Sequence, residues 1–180
     1  MPLVKSLAPQ TRERIRLVVF DVDGTLTDGK IYMGEQGEVF KVFDIKDGLG
    51  IHDLLPRYGI ASAVITARTS GIVANRCREL GIEYCRQGIR DKVGALAEIA
   101  RELGLAENES RVYEEAAYMG DDLIDLPCML RCGLIACPSN AAGEVREVAH
   151  FCSDQPGGDG AARQFIEWLV EPRRTEEKES

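Results

Sequence analysis

The sequence predicts an α/β protein, a doubly wound and mainly parallel sheet covered by helices on both faces. Three observations lead there. Apolar runs of strand length alternate with amphipathic stretches of helix length almost throughout the 180 residues. The first run, Leu17-Val18-Val19-Phe20, is apolar at consecutive positions, as in strands buried on both faces. Three of the runs end abruptly in acids or a hydroxyl, at Asp21/Asp23, Thr66 and Asp121/Asp122. In an open α/β sheet that carboxyl edge is where ligands bind.

Taken in order, residues 1–14 read as a polar lead-in, frayed or lightly docked. The strand at 17–20 stops at two carboxylates spaced i, i+2, which project to one side if the segment stays extended. Thr27-Asp28-Gly29 is a turn signal. Residues 30–43 hold two β-rich arms around a Gly-bounded polar centre, a β-hairpin. Its second arm is apolar on both alternating sets (Val39, Phe43 and Phe40, Val42), so the hairpin is expected to pack on both faces or to meet another chain. A short helix opens at Asp47 and runs to about Tyr58. A buried strand (60–66) ends in Thr66, and a helix (70–80) closes at Gly81, a C-cap candidate. Then come a short strand (82–85), an amphipathic helix (92–103), a strand leading into Gly120-Asp121-Asp122, and a short helix (126–132). A strand (134–137), a helix (141–148) and a last strand (150–152) follow. A glycine-rich loop, residues 157–160, precedes a helix (161–170), and the charged tail 171–180 is expected to be disordered. With no repeat and no linker, residues 15–170 form one domain.

The formal charge of −8 argues against a nucleic-acid surface. No apolar run is long enough to span a membrane, and the first 16 residues lack the apolar centre of a signal peptide. The six cysteines are then expected to be reduced thiols in a cytoplasmic protein. Cys128, Cys132 and Cys137 match no common zinc spacing and read as small buried hydrophobes.

The strand ends converge on one crevice in a doubly wound sheet. Paired acids there repel unless a cation or proton sits between them. With no His or Cys beside them, an oxygen-seeking ion such as Mg²⁺ fits. Lys92 and Thr66 would neutralise and orient phosphate oxygens. Asp21 could serve as nucleophile and Asp23 as proton donor and acceptor.

Asp21-Val22-Asp23-Gly24-Thr25, then Ile65-Thr66, then Lys92, then Gly120-Asp121-Asp122-Leu123-Ile124-Asp125 resembles, in that order, the signature of the haloacid dehalogenase superfamily of phosphohydrolases. The resemblance implies Asp21 as nucleophile and Asp23 as acid/base. It implies Mg²⁺ held by the Asp21 side chain, the Asp23 backbone carbonyl and Asp121, with Asp122 and Asp125 in support. It also implies a Rossmann-like fold. Capped members insert a whole domain on either side of the threonine strand. Here residues 25–66 hold only the hairpin and one helix, and 66–92 one helix and a strand, so the chain is capless. Neighbouring subunits would supply the missing walls, with the hairpin as docking piece.

Further stretches resemble a capless branch that dephosphorylates an eight-carbon phosphorylated sugar acid of the lipopolysaccharide inner core and is tetrameric. These are Asp47-Gly48-Leu49-Gly50-Ile51, Thr66-Ala67-Arg68, Asn75-Arg76-Cys77, Gln87-Gly88 and residues 157–163. Arg68 and Arg76 suit the substrate's carboxylate, since a guanidinium grips one bidentately. Thr25 and Asp47 stand beside them as substrate-binding candidates, although Asp47 equally suits the N-cap of the helix it opens. A related branch acting on a nine-carbon sugar acid tends to carry Glu at the Arg68 position. Ala67 departs from the glycine usual there. His52 reads as a surface residue, and the 157–160 loop as either an ordinary loop or a reach into a neighbouring site. A phospho-accepting receiver module also combines acids, Thr and Lys, but there the acid pair precedes the acceptor Asp.

Overall fold

The computed structural model describes residues 3–4, 7–8 and 10–179, without the side chains of 3–4 and 176–179. The strands are β1 (Leu3–Val4), β2 (Leu17–Phe20), β3 (Tyr32–Gly34), β4 (Gly37–Phe40), β5 (Ala61–Ile65), β6 (Tyr84–Arg86), β7 (Tyr113–Met119), β8 (Cys132–Cys137) and β9 (Phe151–Cys152). Seven of them form one sheet in the order β1-β9-β8-β7-β2-β5-β6, and β3 pairs only with β4. Every neighbouring pair of the large sheet is parallel except β1 with β9. The expected doubly wound architecture is what forms, and no cap interrupts it.

The helices are α1 (Thr11–Arg14), α2 (Ile45–Leu49), α3 (Leu55–Arg57), α4 (Gly71–Glu79), α5 (Lys92–Glu102), α6 (Leu126–Met129), α7 (Gly143–Val148) and α8 (Ala161–Glu179), with a π-helical stretch, Gly50–Leu54, joining α2 to α3. All four residues of β2 are completely buried, and they alternate between two cores. Val18 and Phe20 pack with Phe165, Ile166 and Leu169 of α8 on one face. Leu17 and Val19 pack with Leu96 and Ile99 of α5 on the other. At about 1.5–3 kcal/mol for each large apolar side chain removed from water, this central strand anchors both layers. The acids that follow it are therefore held on a rigid base.

Three expectations need correction. The helix after the hairpin starts at Ile45, because Asp44 is its N-cap and accepts from Lys46 N and Asp47 N at 2.6 and 3.1 Å. Asp47 does not cap it. The lead-in is partly structured, since β1 completes the sheet edge and α1 docks on α8. Nor is the tail disordered through its described residues, because α8 runs on to Glu179. Arg173 ties that extension down by donating to Glu13 O and Ile15 O at 2.8 and 2.6 Å. Charge composition misreads the tail because an arginine that satisfies backbone carbonyls looks, in sequence, like one that faces water. Among the described residues no two cysteines are joined in a disulfide.

Candidate active site

Strand β2 lies between β5 and β7, with Phe20 level with Val64 on one side and Met119 on the other. Asp21, Thr66 and Gly120-Asp121 therefore leave the sheet at the same edge, and Asp21 N donates to Met119 O at 3.0 Å. There Asp21, Asp121 and Asp125 each offer a carboxylate oxygen within 4.8 Å of the others. Lys92, the first residue of α5, sends its ammonium to Asp21 Oδ1 and Asp125 Oδ1, both at 2.6 Å. Its position is set by Asp91, which caps α5 by accepting from Gly94 N at 3.0 Å. Tyr118, buried in β7, donates its hydroxyl to Asp125 Oδ1 at 2.9 Å.

Three ionised carboxylates and one ammonium leave two negative charges in a nearly dry site. At an effective dielectric of about 20, two like charges this close repel by about 3 kcal/mol. The strain shows in the titration. Asp21 is raised to about 7, chiefly by burial and then by Asp125, against the opposing pull of Lys92. Asp121 is raised to about 6 by burial and Asp125. For Lys92, burial favours the neutral amine, but Asp21 and Asp125 outweigh it and the net shift is upward. An all-oxygen donor set with two uncompensated charges fits a hard divalent ion. Gly24 completes the cradle, with φ +96° and a position where any Cβ would lie 2.0 Å from Asp121 Oδ2.

The loop after β2 is braced from inside. Val22 O accepts from Leu26 N and Thr27 N at 2.9 and 3.0 Å. Thr25, fully buried, donates its hydroxyl to Asp121 Oδ1 at 3.1 Å. From outside, Gly158 N donates to Thr25 O at 3.1 Å, and Gly157 N to Asn140 Oδ1 at 3.0 Å. A Cβ at Gly157 would meet Gly24 O at 1.9 Å. The glycine-rich loop thus backs the acid loop of its own chain.

No family model matches the chain. The 3-deoxy-D-manno-octulosonate 8-phosphate phosphatase of Escherichia coli (strain K12) is 39% identical over 158 residues, 88% of this chain and 80% of that protein. The chain belongs to the 3-deoxy-D-manno-octulosonate 8-phosphate phosphatase family. Among solved members of the family, the phosphatase from Moraxella catarrhalis, in complex with magnesium ion, phosphate ion and KDO molecule, matches at a TM-score of 0.82 and 36% identity. That match covers 90% of this chain and 89% of the other. The cobalt-bound form from Haemophilus influenzae matches at 0.83 and 33% identity, over 90% and 91% of the two chains. The family's fold places this chain in the haloacid dehalogenase superfamily, as its ordered motifs imply.

Against this family background the candidate residues divide into two groups. Asp21 meets both Lys92 and Asp121, and Thr66 is buried at the same edge. Asp23 goes elsewhere. Strand β2 ends at Phe20, so the two-residue alternation lapses in the turn, and the Asp23 carboxylate contacts the Lys41 ammonium instead of joining the acid cluster. Asp122 is exposed and accepts from Leu123 N at 2.7 Å, while Asp125 occupies the cluster. The Thr25 hydroxyl is engaged by Asp121.

Asp47, 3% exposed, accepts from Arg163 N at 2.7 Å and so braces the start of α8, from 116 residues away. Burial raises it to about 6. The Asp47 carboxylate thus has a bracing contact under α8. Arg68 donates to Glu38 Oε1 at 3.1 Å and leaves its buried Nη1 without a partner. Arg76 pairs with Glu79 at 3.0 Å and lines an open groove with Lys41, Phe43, Ile72 and Asn75. His52 is exposed and paired with Asp53. Tyr118, Glu38, Lys41 and Asn140 escape sequence reading. Only Tyr118 had a signal, since a tyrosine in a buried strand needs a partner for its hydroxyl.

Proposed function

We propose that this chain is a magnesium-dependent phosphatase that releases phosphate from 3-deoxy-D-manno-octulosonate 8-phosphate in lipopolysaccharide biosynthesis, in the cytoplasm. The observation that carries the chemistry is the contact of Lys92 with Asp21 inside the three-acid cluster. Lys92 pulls Asp21 toward its charged form and aims it, as a nucleophile requires. An Asp21 oxygen bonds to phosphorus as the bond from phosphorus to the sugar oxygen breaks, and Asp23 delivers a proton to that departing oxygen. Water then attacks the aspartyl-phosphate, Asp23 takes the water's proton, and the Asp21 carboxylate is restored. Thr66 and Lys92 face the phosphate oxygens. Asp21, Asp121 and the Asp23 backbone carbonyl hold the magnesium ion, which when bound offsets the charge on the phosphoryl oxygens. Asp125 anchors Lys92.

The substrate class rests on family membership and on the groove that leads from Lys41 to Arg76. Phosphate release across sugar phosphates with and without a carboxylate tests it. The carboxylated eight-carbon substrate should lead, and equal rates on both kinds would remove the sugar-acid reading.

Binding of magnesium should depend on pH in a definite direction. Asp21 and Asp121 have folded-state values raised to about 7 and 6, so the stability tied to them is present below about pH 4 and is lost as pH rises through 6–7. An ion reverses that loss only where the acids are ionised. Magnesium at a hundred times its Kd adds about 2.7 kcal/mol, a rise of about 5–11 °C for a chain of this size. The shift should appear at pH 8 and nearly vanish at pH 5, as read by thermal melting. An equal shift at both values would count against the cluster as the site.

The working form is a homotetramer with shared walls. Support comes from apolar side chains left open on and beside the hairpin, Ile31, Met33, Val39, Phe40 and Val42, all 48–65% exposed. Patches of this kind on a soluble surface mark interfaces. Phe40→Glu should dissociate the assembly and lower turnover, read by sedimentation and phosphate release. Unchanged mass and rate would contradict the assignment.

A further inference from the structure

We infer that Lys41 is a positioning residue, holding the Asp23 carboxyl group so that, once it has taken a proton from solvent, it meets the leaving oxygen, and so linking the hairpin's seat to the chemical step. The inference rests on the reading of Asp23 as the acid/base. Lysine is almost never fully buried unless paired, yet the Lys41 side chain is only 1% exposed. Its ammonium lies between two carboxylates, in contact with Asp23 on one side and 3.0 Å from Glu38 Oε1 on the other. Glu38 in β4 is itself clamped to the segment after β5, accepting from Ser70 Oγ at 2.7 Å and Arg68 Nη2 at 3.1 Å.

A continuous chain of charged contacts therefore runs from the β5–α4 segment through the hairpin to Asp23. The division of labour between lysines is clear in the geometry. Lys92 serves Asp21, whose carboxylate attacks phosphorus, and Lys41 serves Asp23, whose side chain stays 21% exposed and reaches out of the turn. Strand pairing ends at Phe20, and although the turn's backbone is braced at Val22 and Thr25, the Asp23 carboxylate itself is held by its contact with Lys41, so its aim depends on the lysine. Moving a reacting group by about an ångström costs on the order of a hundredfold in rate. That cost should fall on both proton transfers of Asp23, of which only the first, delivery to the leaving oxygen, depends on the leaving group.

The test varies how much the leaving group needs a proton. Sugar alkoxide leaves poorly without one, whereas p-nitrophenolate leaves as a stable anion. Lys41→Met should lower both kcat and kcat/KM on 3-deoxy-D-manno-octulosonate 8-phosphate by roughly 10- to 100-fold and kcat/KM on p-nitrophenyl phosphate, which reports only the steps up to departure of the leaving group, by less than about 3-fold. Lys41→Arg, which keeps a cation between the two carboxylates, should restore most of the difference. An equal loss of kcat/KM on both substrates, or no loss on either, overturns the proposal. So does a rise in KM for the sugar acid with kcat unchanged, which would assign Lys41 to substrate binding.

Asp23→Asn is the control. It should show the same split in kcat/KM more strongly, and if kcat/KM falls equally on both substrates, the reading of Asp23 as the acid for the leaving oxygen fails independently of Lys41. Should Lys41→Met not fold, Glu38→Gln carries the test, with the same selective loss expected at roughly 3- to 10-fold. A Glu38→Gln protein with equal losses on both substrates would overturn the proposal as well.

Discussion

Asp21→Asn should keep the fold and lose phosphate release by about four to six orders of magnitude, the scale on which removal of a covalent nucleophile acts. Asparagine is nearly isosteric, so the protein should remain folded by circular dichroism. The same substitution should do something less obvious to stability. Asp21 is raised to about 7 by burial and its acidic neighbours. A carboxyl with a raised folded-state value contributes stability below about pH 4 that is gone once pH exceeds 7. In the metal-free protein at pH 8, Asp21→Asn should therefore melt no lower than the parent, because a crowded charge has been removed while Lys92 keeps Asp125. An active variant would end the nucleophile assignment, and a variant much less stable at pH 8 would mean the Lys92 contact outweighs the crowding.

Lys92→Met should act in the opposite sense on stability. It leaves Asp21 and Asp125, 8% and 0% exposed in their side chains, without their shared cation. Breaking a buried pair from one side costs about 3–5 kcal/mol, which is about 6–20 °C in melting temperature for a chain of this length. The loss should be largest above pH 7, where Asp21 is ionised, and smaller at pH 5, where it holds a proton. Adding Asp125→Asn should recover part of the melting temperature but none of the activity, because the phosphate-facing ammonium is still missing. Thermal melts at the two pH values and phosphate release on the single and double variants check each part. A single variant as stable as the parent at pH 8 would show that the cluster takes up protons instead of straining.

The two predictions draw on features of different legibility. That Asp21 sits at a sheet edge could be read from four apolar residues ending in an acid, because strand burial and strand ends are local properties of the chain. That Lys92 starts a helix was equally local, read from the amphipathic spacing that begins there. Which acids the lysine would meet was not local. Asp122 and Asp125 stand three residues apart in one motif, and only the turn after β7 decides that Asp125 points inward and Asp122 outward. Asp47 makes the same point more sharply. A cap for its own helix was a sound local reading, but Asp44 already fills that place, and Asp47 accepts from Arg163 N at the start of α8. Arg68 matched a substrate carboxylate in sequence, and in the fold it has found Glu38.

Period, punctuation and the order of four motifs along the chain were enough to determine a parallel sheet without a cap, the edge where the acids gather and the family. Each depends on spacing within a few residues or on sequence order. The tertiary structure alone decided which charges pair, namely Lys41 with Asp23 and Glu38, Asp47 with the start of α8, and Arg173 with the carbonyls before β2. An ionisable side chain takes whichever partner the fold brings within a few ångströms after desolvation, and sequence distance has no bearing on that choice.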